Sequence, residues 1–261
     1  MTPHRIITEA QGAGLADLGL TDHPFHDGLP RFHAALRHTL NLRDTGSLRV
    51  WIGAELEVIG PERLIIPPAR LPDADYLIAA PSHYDIEHFP PVQNLQDPVE
   101  WADRLLRDME NVIGSGAHAI AHPFYVIEFV RPSGRRWGLP PLTQVFAEMR
   151  PRRLDNLLDG LIEAGIALEI SPKMCSEPAL QDFLENWYRE ALRRGMKFLL
   201  GSDSHRPHTI GKLRAAEEVV RRLGLRESDL WHPRMIPARK ANPFRPMAAS
   251  GSERKSAPGA P

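Results

Sequence analysis

The chain has 261 residues, of which 42% are hydrophobic and 25% charged, a composition typical of globular proteins. The formal net charge of −1 does not favour nucleic acid or an anionic membrane, although it does not exclude nucleic acid. A single cysteine, Cys175, excludes an internal disulfide and a cysteine-rich zinc module. No apolar run approaches the roughly 20 residues that span a bilayer, and no signal peptide is expected. These features predict a cytoplasmic protein.

Six short runs of apolar and small residues predict strands that are covered on both faces. In chain order they are residues 15–21, 48–56, 74–81, 118–121, 166–170 and 197–200. Six helical patterns alternate with them, at residues 3–13, 31–41, 98–113, 152–164, 178–194 and 210–223. Alternation of this kind predicts βα units and a parallel sheet.

Glycines mark three of the steps from a helix to the next strand, at Gly14, Gly165 and Gly195. A glycine directly after a helix commonly adopts the left-handed conformation that ends it. From about residue 237 the apolar periodicity is lost and small, polar and proline residues dominate. We therefore predict one barrel domain over residues 1–236 and a disordered tail over residues 237–261.

Side chains that bind divalent metals lie at the ends of five predicted strands. They are His23, Glu55, His83, His122, Asp203 and His205. The carboxyl ends of successive parallel strands meet at one mouth of a barrel, so these side chains are predicted to converge there. Because His, Glu and Asp hold borderline and hard divalent metals, the set predicts a multinuclear metal site and hydrolytic chemistry.

The motifs at these strand ends occur in a known order. The order is Thr21-Asp22-His23, Gly53-x-Glu55, His83, His122-Pro123 and Gly201-Ser-Asp203-x-His205. Over roughly residues 3–215 the chain resembles the PHP (polymerase and histidinol phosphatase) family of metal-dependent phosphoesterases. The resemblance implies a distorted (β/α)7 TIM-like barrel with up to three Zn, Mn or Fe ions. It also implies that a metal-bound hydroxide hydrolyses a small phosphorylated substrate.

The resemblance also implies roles for individual residues. Glu55 is expected to bridge two ions, because a carboxylate can give one oxygen to each. The catalytic water would be held by metal bound to Glu55, His83 and His122. In the family pattern, Asp203 serves another ion, whereas His205 and His23 share a different one.

Cations near the mouth are candidates for binding the phosphate of a substrate. Arg131, Arg135 and Arg136 lie in a loop rich in Arg, Pro and Gly, and Arg206 is beside His205. The alternative for each arginine is an ordinary solvated charge. Lys173 follows another strand end and is a further candidate at the rim.

One part of the family pattern is missing. The family's first strand carries a His-x-His pair, and this chain has no His-x-His anywhere. The helix predicted at residues 3–13 leaves no room for that strand before His23, so the first strand is expected to be absent. Either the start site was assigned too late, which we favour, or the chain is truly truncated. We expect the chain as given to bind fewer ions, and its two uncovered sheet edges predict homo-oligomers.

Two other functions stay open. A barrel with impaired catalysis, acting as a binding or regulatory protein, is favoured by the missing pair. An amidohydrolase barrel normally carries a lysine on a middle strand. The first lysine in this chain is Lys173, which counts against that alternative.

Overall fold

The computed structural model describes residues 2–24, 29–41, 44–81, 96–125 and 139–236. Several predicted features lie outside these residues. They are the ligand His83, the loop arginines Arg131, Arg135 and Arg136, and the tail 237–261. None of the helices in the described ranges combines the length and the apolar surface needed to cross a bilayer.

The strands form a single curved sheet. In chain order they are β1 (Asp17–Leu20), β2 (Asp44–Thr45), β3 (Leu48–Gly60), β4 (Arg63–Leu64), β5 (Tyr76–Ala80), β6 (Ala119–Ile120), β7 (Ala167–Ile170) and β8 (Phe198–Leu200). The order β1-β3-β5-β6-β7-β8 is parallel throughout, and the short β2 and β4 pair antiparallel with β3. The six parallel strands are the six that the sequence predicts. In the described residues the sheet ends at β1 and β8, and a seventh parallel strand is not seen.

Helices connect the strands and cover the outer face of the sheet. They are α1 (Pro3–Gly12), α2 (Leu29–Leu40), α3 (Pro98–Glu110), α4 (Leu142–Ala147), α5 (Pro151–Glu163), α6 (Pro172–Cys175), α7 (Pro178–Arg193) and α8 (Arg214–Leu223). Six of them were predicted, whereas the short α4 and α6 were not. Helix α8 begins at Arg214 and not at residue 210, because Gly211 has a positive φ of 73° that a helix cannot contain.

The helix boundaries follow local chemistry. Five helices begin with a proline, which lacks the N–H that the first turn leaves unpaired anyway. At α3 the Asp97 carboxylate accepts a hydrogen bond from the Val99 N–H at 2.8 Å. The predicted glycines after α1, α5 and α7 have φ values of 72°, 68° and 87° at Gly14, Gly165 and Gly195. These left-handed residues confirm the predicted helix ends.

The sheet separates two apolar regions. On its outer face, leucine and isoleucine side chains of β3, β5 and β7 pack against the helices in the largest buried cluster. On its inner face, a smaller cluster contains Tyr76, Ile78, Ala119, Ala167 and, from beyond α8, Trp231. The Tyr76 ring lies so close to β3 that a Cβ on Gly53 would be 2.6 Å from its Cζ atom. The glycine of the Gly53-x-Glu55 motif therefore leaves the space that the Tyr76 ring occupies on the inner face of the sheet.

The segment 230–236 closes part of the sheet edge. Leu230 forms a parallel bridge with Phe198 of β8, and the Trp231 N–H donates to the Phe198 carbonyl at 2.7 Å. His232 Nε2 lies 3.3 Å from Asp17 Oδ1 of β1, so the segment also contacts the other end of the sheet. At Phe198 the edge of β8 is therefore covered by a segment that the sequence did not identify as a strand, so the expectation of two fully uncovered edges is wrong at that residue. Self-association itself stays a prediction.

Candidate functional site

Glu55 lies between two imidazole rings at the carboxyl end of the sheet. Its Oε1 is 3.0 Å from Nε2 of His122, which follows β6. Its Oε2 is 3.7 Å from Nε2 of His23, which follows β1. The Glu55 N–H also donates to the Asp22 carbonyl at 3.0 Å, which ties the end of β1 to β3. One carboxylate thus presents one oxygen to each of two histidines.

A second carboxylate, Glu57, lies against the other nitrogen of His23. Glu57 Oε1 is 3.1 Å from His23 Nδ1, and the Glu57 side chain is fully buried. Burial disfavours the charged imidazole, but the hydrogen bond to Glu57 and the charge of Glu55 outweigh it, so the pKa of His23 rises to about 9. Sequence analysis missed Glu57. Its signal was the offset of two residues from Glu55, which places both side chains on one face of β3.

His122 is held by a third carboxylate, Glu169 of β7. The His122 N–H donates to Glu169 Oε2 at 2.6 Å, and His122 has a positive φ of 31°. Burial raises the pKa of Glu169 to about 7, although His122 opposes the shift. Burial also disfavours protonation of His122, but the hydrogen bond and charge of Glu55 raise its pKa overall. A non-glycine residue in this backbone region is uncommon and often marks a functional site.

Asp203 and His205 follow β8 and form a more exposed pair. Asp203 Oδ1 is 2.9 Å from His205 Nε2, and Asp203 also has a positive φ, of 44°. The other carboxylate oxygen of Asp203 forms an ion pair with Lys173 of α6. Lys173, predicted as a rim residue, therefore neutralises a predicted metal ligand in this structure.

A cavity of about 920 Å³ brings the predicted ligands together. Its walls include every one of them that lies in the described residues, namely His23, Glu55, His122, Asp203 and His205. The cavity extends down to the aromatic side chains of Trp51, Tyr76 and Trp231. Arg206 is exposed beside His205 and is not among the lining residues. The structure thus places the five predicted ligands around one cavity but does not bring Arg206 to the cavity wall.

The donor chemistry fits a divalent metal, whereas the donor geometry is incomplete in the described residues. Imidazole and carboxylate groups are the ligands that Zn, Mn and Fe take in proteins. In the part of the chain that the structure describes, however, no three His, Cys, Asp or Glu side chains are arranged to hold one ion. The donors pair with one another instead, as Glu55 does with His122 and Asp203 with His205.

A comparison with solved structures gives a clear likeness. The crystal structure of histidinol phosphate phosphatase from Lactococcus lactis subsp. lactis Il1403, complexed with Zn, L-histidinol and phosphate, matches with a TM-score of 0.60. The sequences are 20% identical, and the match covers 86% of this chain and 88% of that chain. The two chains share a fold. The likeness confirms the α/β architecture, and at this identity it shows the fold alone.

Comparisons based on sequence add nothing further, because no family model and no curated protein matches this chain. The described part of the sheet has six parallel strands, so the seven strands that the resemblance implies are not confirmed.

Proposed function

We propose that this chain is a metal-dependent phosphoesterase that hydrolyses a small phosphorylated substrate. The observation that supports this most is the Glu55 carboxylate, whose oxygens are 3.0 Å and 3.7 Å from Nε2 of His122 and His23. Two-metal hydrolases hold their ions about 3.5–4 Å apart, which a carboxylate with a donor group beside each oxygen can arrange. The fold shared with a zinc-containing phosphatase agrees with this proposal.

The proposed metal ligands are His23, Glu55, His83, His122, Asp203 and His205. Glu55 and His122 would hold one ion together with His83, and His23 and His205 would contribute to another. A divalent ion supplies positive charge for the phosphoryl oxygens and a lowered pKa for water. The substrate in this proposal is of the class represented by histidinol phosphate, because the neighbour was solved with L-histidinol and phosphate.

The chain's own residues would orient the donors and bind the substrate. In this proposal Glu57 accepts a hydrogen bond from the Nδ1–H of His23 and so directs Nε2 of the ring towards Glu55. On the buried side of the cavity, at Glu55 and His122, bulk water would be largely kept from the reacting groups, which strengthens electrostatic interactions there. Lys173 would bind phosphate at the rim, together with Arg131, Arg135 and Arg136 of the loop, whereas Arg206 lies beside the cavity and not in its wall.

A second candidate is a barrel with impaired catalysis that acts as a binding or regulatory protein. The ion pair between Lys173 and Asp203 favours it, because this carboxylate is neutralised without a metal. An ammonium group beside a ligand carboxylate competes with a cation for the same charge. In this alternative the cavity would still bind a small anion but would not turn it over.

Metal binding and turnover can be tested on one preparation. The purified chain is stripped with a chelator, incubated with Zn or Mn and analysed for metal content. It is then assayed with histidinol phosphate, a nucleotide and a sugar phosphate. We expect at least one transition metal per chain and hydrolysis of at least one ester. Glu55→Gln should lose both, because it removes the charge that two donor groups share.

The control is Asp108→Asn, which removes another buried carboxylate, paired with Arg104 at 2.5 Å on the outer helix α3. Metal content should be unchanged in this variant. The proposal is overturned if the unmodified chain takes up no metal, or if Glu55→Gln and Asp108→Asn behave alike. Metal uptake without turnover of any ester would favour the second candidate.

A further inference from the structure

We infer that Glu169 and Gly201 act together as positioning residues that fix His122 in its orientation towards Glu55. The function of this arrangement rests on the proposed metal site, because it presents the imidazole of His122 to an ion. Its geometry can be tested in the metal-free protein. Neither residue reaches the substrate in this assignment, and neither is a proposed metal ligand.

The backbone of His122 requires support. Its φ of 31° lies in the left-handed region, where a side chain with a Cβ is strained. Glu169 Oε2 accepts the His122 N–H at 2.6 Å, a short hydrogen bond inside the sheet. Such a bond is strongest where water is excluded, and both residues are about 5% exposed. The bond therefore holds His122 in a conformation that the chain alone would disfavour.

Gly201 leaves the space that the Glu169 carboxylate occupies. A Cβ on Gly201 would be 2.9 Å from Glu169 Cδ and closer still to Oε1. Any larger residue at position 201 would therefore displace the carboxylate from the His122 N–H. The Glu169 backbone is fixed on the other side, because the Tyr188 hydroxyl of α7 donates to its carbonyl at 2.7 Å.

Glu169, His122 and Gly201 come from three strands that are neighbours in the sheet. Glu169 belongs to β7, His122 follows β6 and Gly201 follows β8. Glu55 on β3 then meets Nε2 of the His122 ring at 3.0 Å. The glycine of the Gly201-Ser-Asp203-x-His205 motif thus has a role that differs from that of its two metal-binding neighbours. It provides the space for the carboxylate that orients His122.

The direct test observes the His122 amide in the metal-free chain after selective labelling of histidine with ¹⁵N. A short hydrogen bond to a carboxylate shifts the amide proton strongly downfield. We expect this shift to be lost in both Glu169→Ala and Gly201→Ala, and to be reduced in the isosteric Glu169→Gln. Zn affinity, measured by competition with a chromophoric chelator, should fall by about 10- to 100-fold in the two alanine variants.

A double-mutant cycle tests the coupling. If Gly201 serves only to admit the Glu169 carboxylate, Gly201→Ala should have little further effect on Zn affinity in the Glu169→Ala background. The matched control is Gly160→Ala in α5, where a Cβ would be 2.7 Å from the Ile113 Cδ1 atom, away from the site. This control should leave both the amide shift and the Zn affinity unchanged.

The outcomes separate this inference from the proposed function. The inference is overturned if the His122 amide is unmoved in Gly201→Ala, or if the two substitutions reduce Zn affinity by independent factors. It is also overturned if Glu169→Gln and Glu169→Ala both bind Zn as tightly as the unmodified chain. If the amide shifts are lost as expected but the unmodified chain binds no Zn, the positioning geometry stands and the proposed metal site fails.

Discussion

The two sides of the cavity mouth are built differently. The side chains of Glu55 and His122 are 12% and 6% exposed, whereas those of Asp203 and His205 are 22% and 72% exposed. Glu55 lies on β3 and His122 follows β6, and each of these strands has a parallel partner on both sides. The second pair follows β8, at the end of the sheet. Burial and strand pairing therefore fix one half of the site, while the other half faces solvent.

The charges that balance the two sides also differ. On the buried side, His122 faces the carboxylates of Glu55 and Glu169, and burial strengthens these interactions. On the exposed side, the partly exposed Lys173 balances Asp203, and solvent screens that pair. A donor on the buried side should therefore contribute much more to metal binding than one on the exposed side.

The largest effect should follow from His122→Ala. We expect Zn affinity to fall by more than about 100-fold, beyond the range for residues that only support a ligand, and activity to be lost. His118→Ala is the matched control, because His118 Nδ1 instead accepts the Leu77 N–H at 3.0 Å and its ring stacks on Trp231. It should leave Zn affinity unchanged and lower stability by about 1–3 kcal/mol. Equal loss of metal in both variants would contradict the distinction between the two histidines.

A second prediction concerns the segment that covers β8. Trp231 is 8% exposed and contacts Tyr76, with 5.9 Å between the ring centroids. Trp231→Ala should lower the free energy of unfolding by about 3–5 kcal/mol, measured in urea, because it leaves a cavity on the inner face. It should also increase self-association, since the segment that pairs with Phe198 through its backbone loses the side chain that anchors it on the inner face.

Met235→Ala is the control for this segment, because Met235 is 52% exposed. It should change stability by less than about 0.5 kcal/mol. If the two variants were equally stable, segment 230–236 would not contribute to the inner face, and the edge of β8 would have to be treated as open.

Much of the sheet could be predicted from the sequence, because each strand and helix end is marked by the residues of its own short segment. Runs of apolar residues identify buried strands, and glycines such as Gly165 identify the helix ends before them. The cover of β8 could not be predicted, because Leu230 and Trp231 show no strand pattern of their own. Their pairing with Phe198 depends on an unpartnered edge that only the folded sheet creates.

The site could be predicted only in part, because some of its contacts join residues of different elements. His23 and His122 were predicted from their places after strands and Glu55 from a predicted strand end, although β3 continues to Gly60. The structure brings the three together. Glu57 was missed even though it lies two residues from Glu55 on the same strand face. The ion pair of Lys173 with Asp203 joins residues of different elements, so no spacing along the sequence indicates it.

A third prediction tests whether Lys173 lowers the affinity of the exposed side of the site for a metal ion. Lys173→Met removes the positive charge beside Asp203 and keeps most of the side-chain volume. We expect metal affinity to rise by about tenfold, which corresponds to about 1.4 kcal/mol, and KM for a phosphate ester to rise as well. Lys212→Met, an exposed lysine elsewhere, is the control. Unchanged metal affinity in Lys173→Met would show that the ion pair does not compete with a metal.

The smallest effect concerns the contact between segment 230–236 and β1. Burial and the charge of Arg234 lower the pKa of His232 below its ordinary value of 6.5, although Asp17 opposes the shift. A histidine with a lowered pKa contributes stability above pH 6.5, and this contribution is lost as the pH falls through the folded pKa.

His232→Gln should therefore cost more stability at pH 7.5 than at pH 5, by less than about 1 kcal/mol because the pair is partly exposed. Urea unfolding of the chelator-treated proteins at both pH values measures the difference. A larger cost at pH 5 would mean that the ion pair of protonated His232 with Asp17 outweighs burial, and that acid strengthens the contact between the two ends of the sheet.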